Sequence, residues 1–412
     1  MIKNVIHIIT ACVLSVSTYG KTIQVGTLYP IKKIQTAIDL AANGDTLIVF
    51  KGTYKEGNIV VNKSITLIGK KFPEIDGQKK YEVLSVRASN VTIEGFKIVR
   101  SGYATIDDPG GIKVYDSENV TIRNNILDDN FFGIYLQYCK NCIIKNNTII
   151  SYGVEEQQIG NGIHCWKSDS LLIIGNNISG HRDGIYFEFV TGSTIWRNIS
   201  TSNIRYGLHF MFSNDDAYIC NIFKNNGAGV AVMFTKRVKM YNNFFIENWG
   251  DAAYGLLLKE ISDSYISGNH FTNNTSAIYM EGTNRILVEK NLFTYNGWGM
   301  KIQASCMDNE IKTNNFIGNT FDISTNGTLV LNTFNSNYWD KYEGYDLDKN
   351  GIGDLPYHPL SLFSVIVEIN PPAMLLFRSF IVSLLDKSEK IIPSLTPDNF
   401  IDNSPLMRQL AL

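Results

Sequence analysis

A small residue followed by an aliphatic one returns along this chain at Gly111, Gly133, Gly162, Gly184, Gly207, Gly229, Gly255, Ala277 and Gly299, at intervals of 22, 29, 22, 23, 22, 26, 22 and 22 residues. Self-similarity at this period marks a stacked array whose units bury their apolar faces only against their neighbours. Each unit holds two or three short alternating segments set off by Asn, Asp, Gly and Ser, and none has a helical period. The prediction is an all-β chain, a right-handed parallel β-helix of coils about 22 residues long.

Side chains alternate across a strand, so counting from each small residue assigns the faces. The first and third positions, Ile112/Val114 through Leu208/Phe210 to Met300/Ile302, are apolar throughout and form the expected core column. The second and fourth positions should face outward. In the middle coils these are His164 and Trp166, Tyr186 and Glu188, His209 and Met211, then Met233. A strip of exposed Trp, Tyr, Met and His is unusual on a solvated β face and marks a candidate patch. Thioether and imidazole are also ligands suited to copper, the thioether to Cu(I) in particular. Three readings remain open: a partner surface, a copper contact, or a surface covered by a loop or the tail.

Fourteen residues after each coil start comes an asparagine: Asn125, Asn147, Asn176, Asn198, Asn221, Asn243, Asn269 and Asn291. One register predicts one ladder of side-chain amides at a turn, each bonded to the next coil. Two coils are longer than the rest, by Tyr152 to Ile159 and by Trp249 to Ala252. Both insertions precede a coil start, so they are expected at the same corner, flanking the patch.

The ends differ in composition. Residues 1–20 read as a signal peptide to be cleaved, with Lys3 ahead of an apolar run from Val5 to Val16 and a cut after Gly20. Residues 21–58 form an N-terminal cap and first strand, with apolar residues at helical spacing over 31–41. The repeats occupy 59–325, and 326–412 is an irregular capping or docking tail. No later run reaches the roughly 18 apolar residues a membrane-spanning helix needs. A net charge of −2 without a Lys/Arg cluster gives no footprint for nucleic acid.

Two smaller motifs stand out. Cys139-Lys140-Asn141-Cys142 is a lone CxxC, readable as two buried cysteines or as redox or metal chemistry. In the tail, Asp346, Asp348, Asn350 and Asp354 surround Gly351 in the pattern of a Ca²⁺ loop, but Tyr357 stands where a bidentate Glu is required. The alternative is a knot of Asx turns.

The segments "KIQTAIDLAANGDTLIVFKGTYKE", "VNKSITLIGK", the "NNI" coils, "NYWDKYEGYDLDKNGIGD", "PPAMLLF" and "DNSPLM", in that order, resemble the NosD family, exported β-helix proteins of nitrous oxide reductase maturation. The resemblance spans nearly the whole chain after residue 20. It implies a periplasmic, non-enzymatic protein that works with an ABC-type ATPase and its membrane permease, a copper chaperone and nitrous oxide reductase, and that meets the membrane only through these partners. The cofactors to test are copper, held transiently, and calcium. The rival class is enzymatic, because β-helices also carry polysaccharide lyases and uronan epimerases, and Arg182, Asp183 and Arg205 form a charged corner beside the patch. A carbohydrate-binding module using Trp166 and Tyr186 as stacking platforms is the third reading.

Overall fold

The computed structural model describes residues 20–103, 108–327, 331–391 and 400–412. The expected signal peptide, but for Gly20, lies outside the described residues. Each coil contributes one short strand to each of three parallel sheets, of 14, 12 and 13 strands. The sheet of 12 runs from Ile59–Val61 to Phe321–Ser324 and carries the coil starts. Its register is unbroken where it matters, with Ile134 opposite Ile163, Ile163 opposite Ile185, and Ile185 opposite Leu208. β-branched and aromatic residues at alternate positions suit such short, doubly paired strands.

The small residue at each coil start answers a steric demand. A Cβ added to Gly207 would stand 2.6 Å from the carbonyl oxygen of Gly229, and the same approach recurs at Gly133, Gly162, Gly184 and Gly229. Behind this corner the core column is sealed, with Ile163, Ile185, Phe187, Leu208, Phe210 and Val230 all at zero exposure. The sheet of 13 adds a file of rings, Phe223, Phe245, Phe271, Phe293, Phe316 and Trp339, with successive centroids 4.3–5.6 Å apart. Stacked rings pass packing from coil to coil as the strand hydrogen bonds do.

The asparagines in register form a ladder. Asn176 Nδ2 donates to Asn198 Oδ1 at 2.9 Å, Asn198 Nδ2 to Asn221 Oδ1 at 3.0 Å, and the series runs from Asn125 to Asn291. Each Oδ1 also accepts the backbone N–H of the preceding asparagine, so these buried amides are satisfied. The ladder continues through Asn314 and Asn337 and ends on the carboxylate of Asp402. A second ladder, Asn203–Asn226–Asn248–Asn274–Asn296–Asn319, stands at the next corner. It lies nineteen residues after most coil starts, a register the first count did not follow.

Both ends are covered. Helix α1 (Ile34–Leu40) packs Ile34, Ala37 and Ile38 against the end strands Thr22–Val25 and Ile59–Val61. The Glu56 carboxylate accepts the free N–H groups of Ile34 and Gln35 at its start. At the other end strand pairing continues beyond residue 325 through Leu331–Asn335 and Tyr338–Trp339. Helix α2 (Leu362–Ile369) then sets Phe363 and Val367 against Phe321, and α3 (Phe380–Ile391) packs on α2.

Candidate functional site

The candidate strip lies on the outer side of the sheet that carries the coil starts. Tyr135, His164, Tyr186 and His209 occupy one file on consecutive coils, their ring centroids 4.3, 4.8 and 4.9 Å apart. Trp166, Glu188, Met211 and Met233 form the next file, with Met211 directly opposite Met233.

The expected exposure of the two histidines is corrected. His164 is 8% exposed and His209 is 6% exposed. Both are covered by residues that sit just before the coil starts and turn over the strand. The Phe132 ring lies 5.3 Å from His164, and Asn161 Nδ2 is 3.0 Å from His164 Nδ1. The Tyr206 ring lies 4.8 Å from His209, and an Asp183 carboxylate oxygen is 3.6 Å from His209 Nδ1. Burial, helped by the charge of Arg182, pushes the His164 pKa down to about 3, so its imidazole is neutral. Asp183 is ionised: burial works to raise its pKa, but His209 and the two hydrogen bonds from Arg205 (2.9 and 2.6 Å) outweigh it and hold it below its ordinary value.

Neither ring nitrogen of His209 has a hydrogen-bond partner within the protein. Beside it Met211 and Met233 remain half-buried. One position beyond them, the chain turns a corner lined by aromatic residues. Phe189, Phe212 and Phe234 stack at 5.2 and 5.1 Å, at 44%, 40% and 41% exposure. Tyr138, equally exposed, packs edge-on against Trp166. This edge escaped the reading of the sequence, which stopped counting at the fourth position; the fifth reads Tyr138, Lys167, Phe189, Phe212, Phe234. The patch is therefore two things: a closed file holding the histidines, and an open apolar edge holding the thioethers.

The structure separates the other candidates. The first insertion carries a short turn, Glu156–Gln158, and Gln157 accepts a hydrogen bond from Tyr103. The second lies against Thr275 and, with Trp298, Lys301, Glu368 and Met374, lines a cavity under the C-terminal helices. The Asp346 loop is tied into turns. Asp346 accepts from Asn350 and Gly351, Asp348 from Asn350, Asn350 from Ile352, and Asp354 from Leu347. Its carboxylates thus accept N–H groups of their own loop, from the backbone and from the Asn350 amide, which is the Asx-turn arrangement. Among the described residues no three His, Cys, Asp or Glu side chains converge on an ion position, there or elsewhere. For copper the chemistry of the donors is favourable at His209, Met211 and Met233, where a buried imidazole, its Nε2 without a hydrogen bond, shares its strand with one soft thioether and lies one coil from a second.

Two family descriptions match the chain: "Right handed beta helix region" over residues 39–158, and "Periplasmic copper-binding protein (NosD)" over residues 149–344. Two curated relatives named "Probable ABC transporter binding protein NosD" align along most of both lengths. That of Pseudomonas aeruginosa is 28% identical, covering 91% of each chain. That of Stutzerimonas stutzeri is 24% identical, covering 90% of this chain and 89% of its own. Among solved structures, the Azotobacter vinelandii mannuronan C-5 epimerase AlgE4 A-module superposes with a TM-score of 0.55 at 16% identity, covering 74% of this chain and 89% of that one. At that identity the likeness is one of fold. The terminal segments, the stacked coils and the relatives that align along most of their length converge on one family: the chain carries a NosD family domain over residues 149–344 and resembles NosD proteins along about nine-tenths of its length.

Proposed function

We propose that this protein is a non-enzymatic accessory of copper-site assembly in nitrous oxide reductase. It works as a docking scaffold or copper relay beside an ABC-type ATPase and permease and a copper chaperone. The supporting observation is the pair Met211 and Met233, opposite one another on adjacent coils, next to a His209 imidazole whose Nε2 has no hydrogen-bond partner. Soft thioethers on an open edge suit brief contact with Cu(I) or its carrier, and exposed aromatic residues suit a partner surface. Copper in this reading is cargo. The family's description as copper-binding and its relatives' name as ABC transporter binding proteins support it. An enzymatic reading would centre on Asp183, Arg205 and His209, but Asp183 and His209 are buried, where a polymeric uronan does not reach.

The test replaces Met211 and Met233 by Ser together. Half-buried outward positions make few core contacts, so stability should change by about 1 kcal/mol or less in total. Reductase matured beside the folded variant should lack copper. Full copper loading would refute the role of the thioethers. His209→Gln is made separately, since a buried ring leaves a void when shortened.

A further inference from the structure

The CxxC motif lies outside the strip and takes no part in it. Cys139 and Cys142 flank a bend through Lys140 and Asn141, where Asn141 adopts φ 52°. Both cysteines are free thiols at 1% exposure, and their side chains interact across the bend. On the next three coils at least one of these two corner positions contains a hydroxyl or carboxyl that accepts a backbone N–H of the preceding coil, the other being Leu171 or Val190 on two of them. Ser168 accepts from Cys139, Ser193 from Leu171, Ser213 from Val190 and Asp216 from Ser193. On the cysteine coil neither residue supplies an oxygen: Cys139 Sγ donates to the carbonyls of Val114 and Gln137 at 3.5 and 3.4 Å, and Cys142 Sγ to those of Ser117 and Lys140 at 3.9 and 3.3 Å. Sulfur is a weak acceptor, so this coil gives up good hydrogen bonds to hold two sulfurs side by side.

Two cysteines three residues apart are turned into one dry corner, on either side of a single bend, which is the placement a bridge needs. The family's compartment is oxidising and permits one. We propose that Cys139 and Cys142 are joined as a disulfide in the exported protein. Two thiols lose two protons and two electrons; the disulfide of a periplasmic thiol oxidase accepts them and leaves as a dithiol. The bond forms before the coil closes, because the finished corner excludes an oxidase. A bridge spanning so few residues adds little chain-entropy stabilisation. Its chemical consequence is larger: it removes two thiolate ligands for Cu(I) from the core of a protein whose family binds copper, leaving the thioethers on the surface.

The experiment uses the full chain, exported to the periplasm and purified without reductant. It is denatured, treated with iodoacetamide and digested with trypsin. Cleavage after Arg123, Lys140 and Lys145 puts the two cysteines on separate peptides, 124–140 and 141–145. The expected result is a single linked species that dithiothreitol splits into the two. Recovery of both peptides separately, each alkylated, would overturn the proposal. So would a link from 141–145 to the peptide carrying Cys165.

Discussion

Asp216 carries the clearest pH signature at the scale of single residues. Its carboxyl is buried in the corner ladder, where it accepts from Ser193 N–H at 2.7 Å, and burial pushes its pKa from 3.8 up to about 8. The folded state therefore holds a proton that the unfolded state has released over the window from about pH 4 to 8. Stability should be greatest below that window, fall as pH rises through it and level off above about 8. Melting temperatures measured across this range should show the decline, and Asp216→Asn should flatten it. A second contrast concerns two adjacent residues on the strand Tyr206–Met211. Phe210, in the core column, should lose about 3 kcal/mol or more as Phe210→Ser, whereas Met211→Ser on the same strand should change stability by about 0.5 kcal/mol. Urea denaturation of the two variants separates inward from outward positions.

Among the elements, the asparagine ladders and the tail loop look alike in composition and differ in burial. Asn198 sits mid-ladder with its amide bonded above, below and to the backbone. Asn198→Ala leaves the N–H and amide of Asn176 without their acceptor, and should destabilise by about 2–3 kcal/mol. Asn350 is exposed and bonds only within its own loop, so Asn350→Ala should cost about 1 kcal/mol or less. Because the loop's carboxylates are occupied by N–H groups, chelator should leave the melting temperature unchanged. A chelator-sensitive melt that Asp348→Ala abolishes would restore the calcium reading.

For the whole molecule, stability is nearly one-dimensional, because each coil touches only its neighbours. The C-terminal end depends on Asp402, whose carboxylate accepts from Ser336, from the backbone and amide of Asn337, and from the Trp339 indole at 3.1 Å. Removing it strands several buried donors at once. Asp402→Ala should expose the last coils to hydrogen exchange first, over residues 310–340, while coils near Ile134 and Ile163 keep their protection. Uniform loss of protection would mean that the stack unfolds as one cooperative unit.

The repeat was legible in the sequence because stacking imposes one register on every coil. Glycine spacing, the core column through Phe210 and the Asn125-to-Asn291 ladder follow from counting alone. The second ladder and the Phe189–Phe212–Phe234 edge obey the same register and were equally countable. What counting cannot reach is whether an outward side chain meets water. His164 and His209 point away from the core and yet are buried, because Phe132, Asn161, Asp183 and Tyr206 fold over them from the corner. Strand alternation gives the direction in which a side chain leaves the backbone. Only the tertiary structure determines what stands in its way, because that depends on contacts between coils that no local pattern encodes.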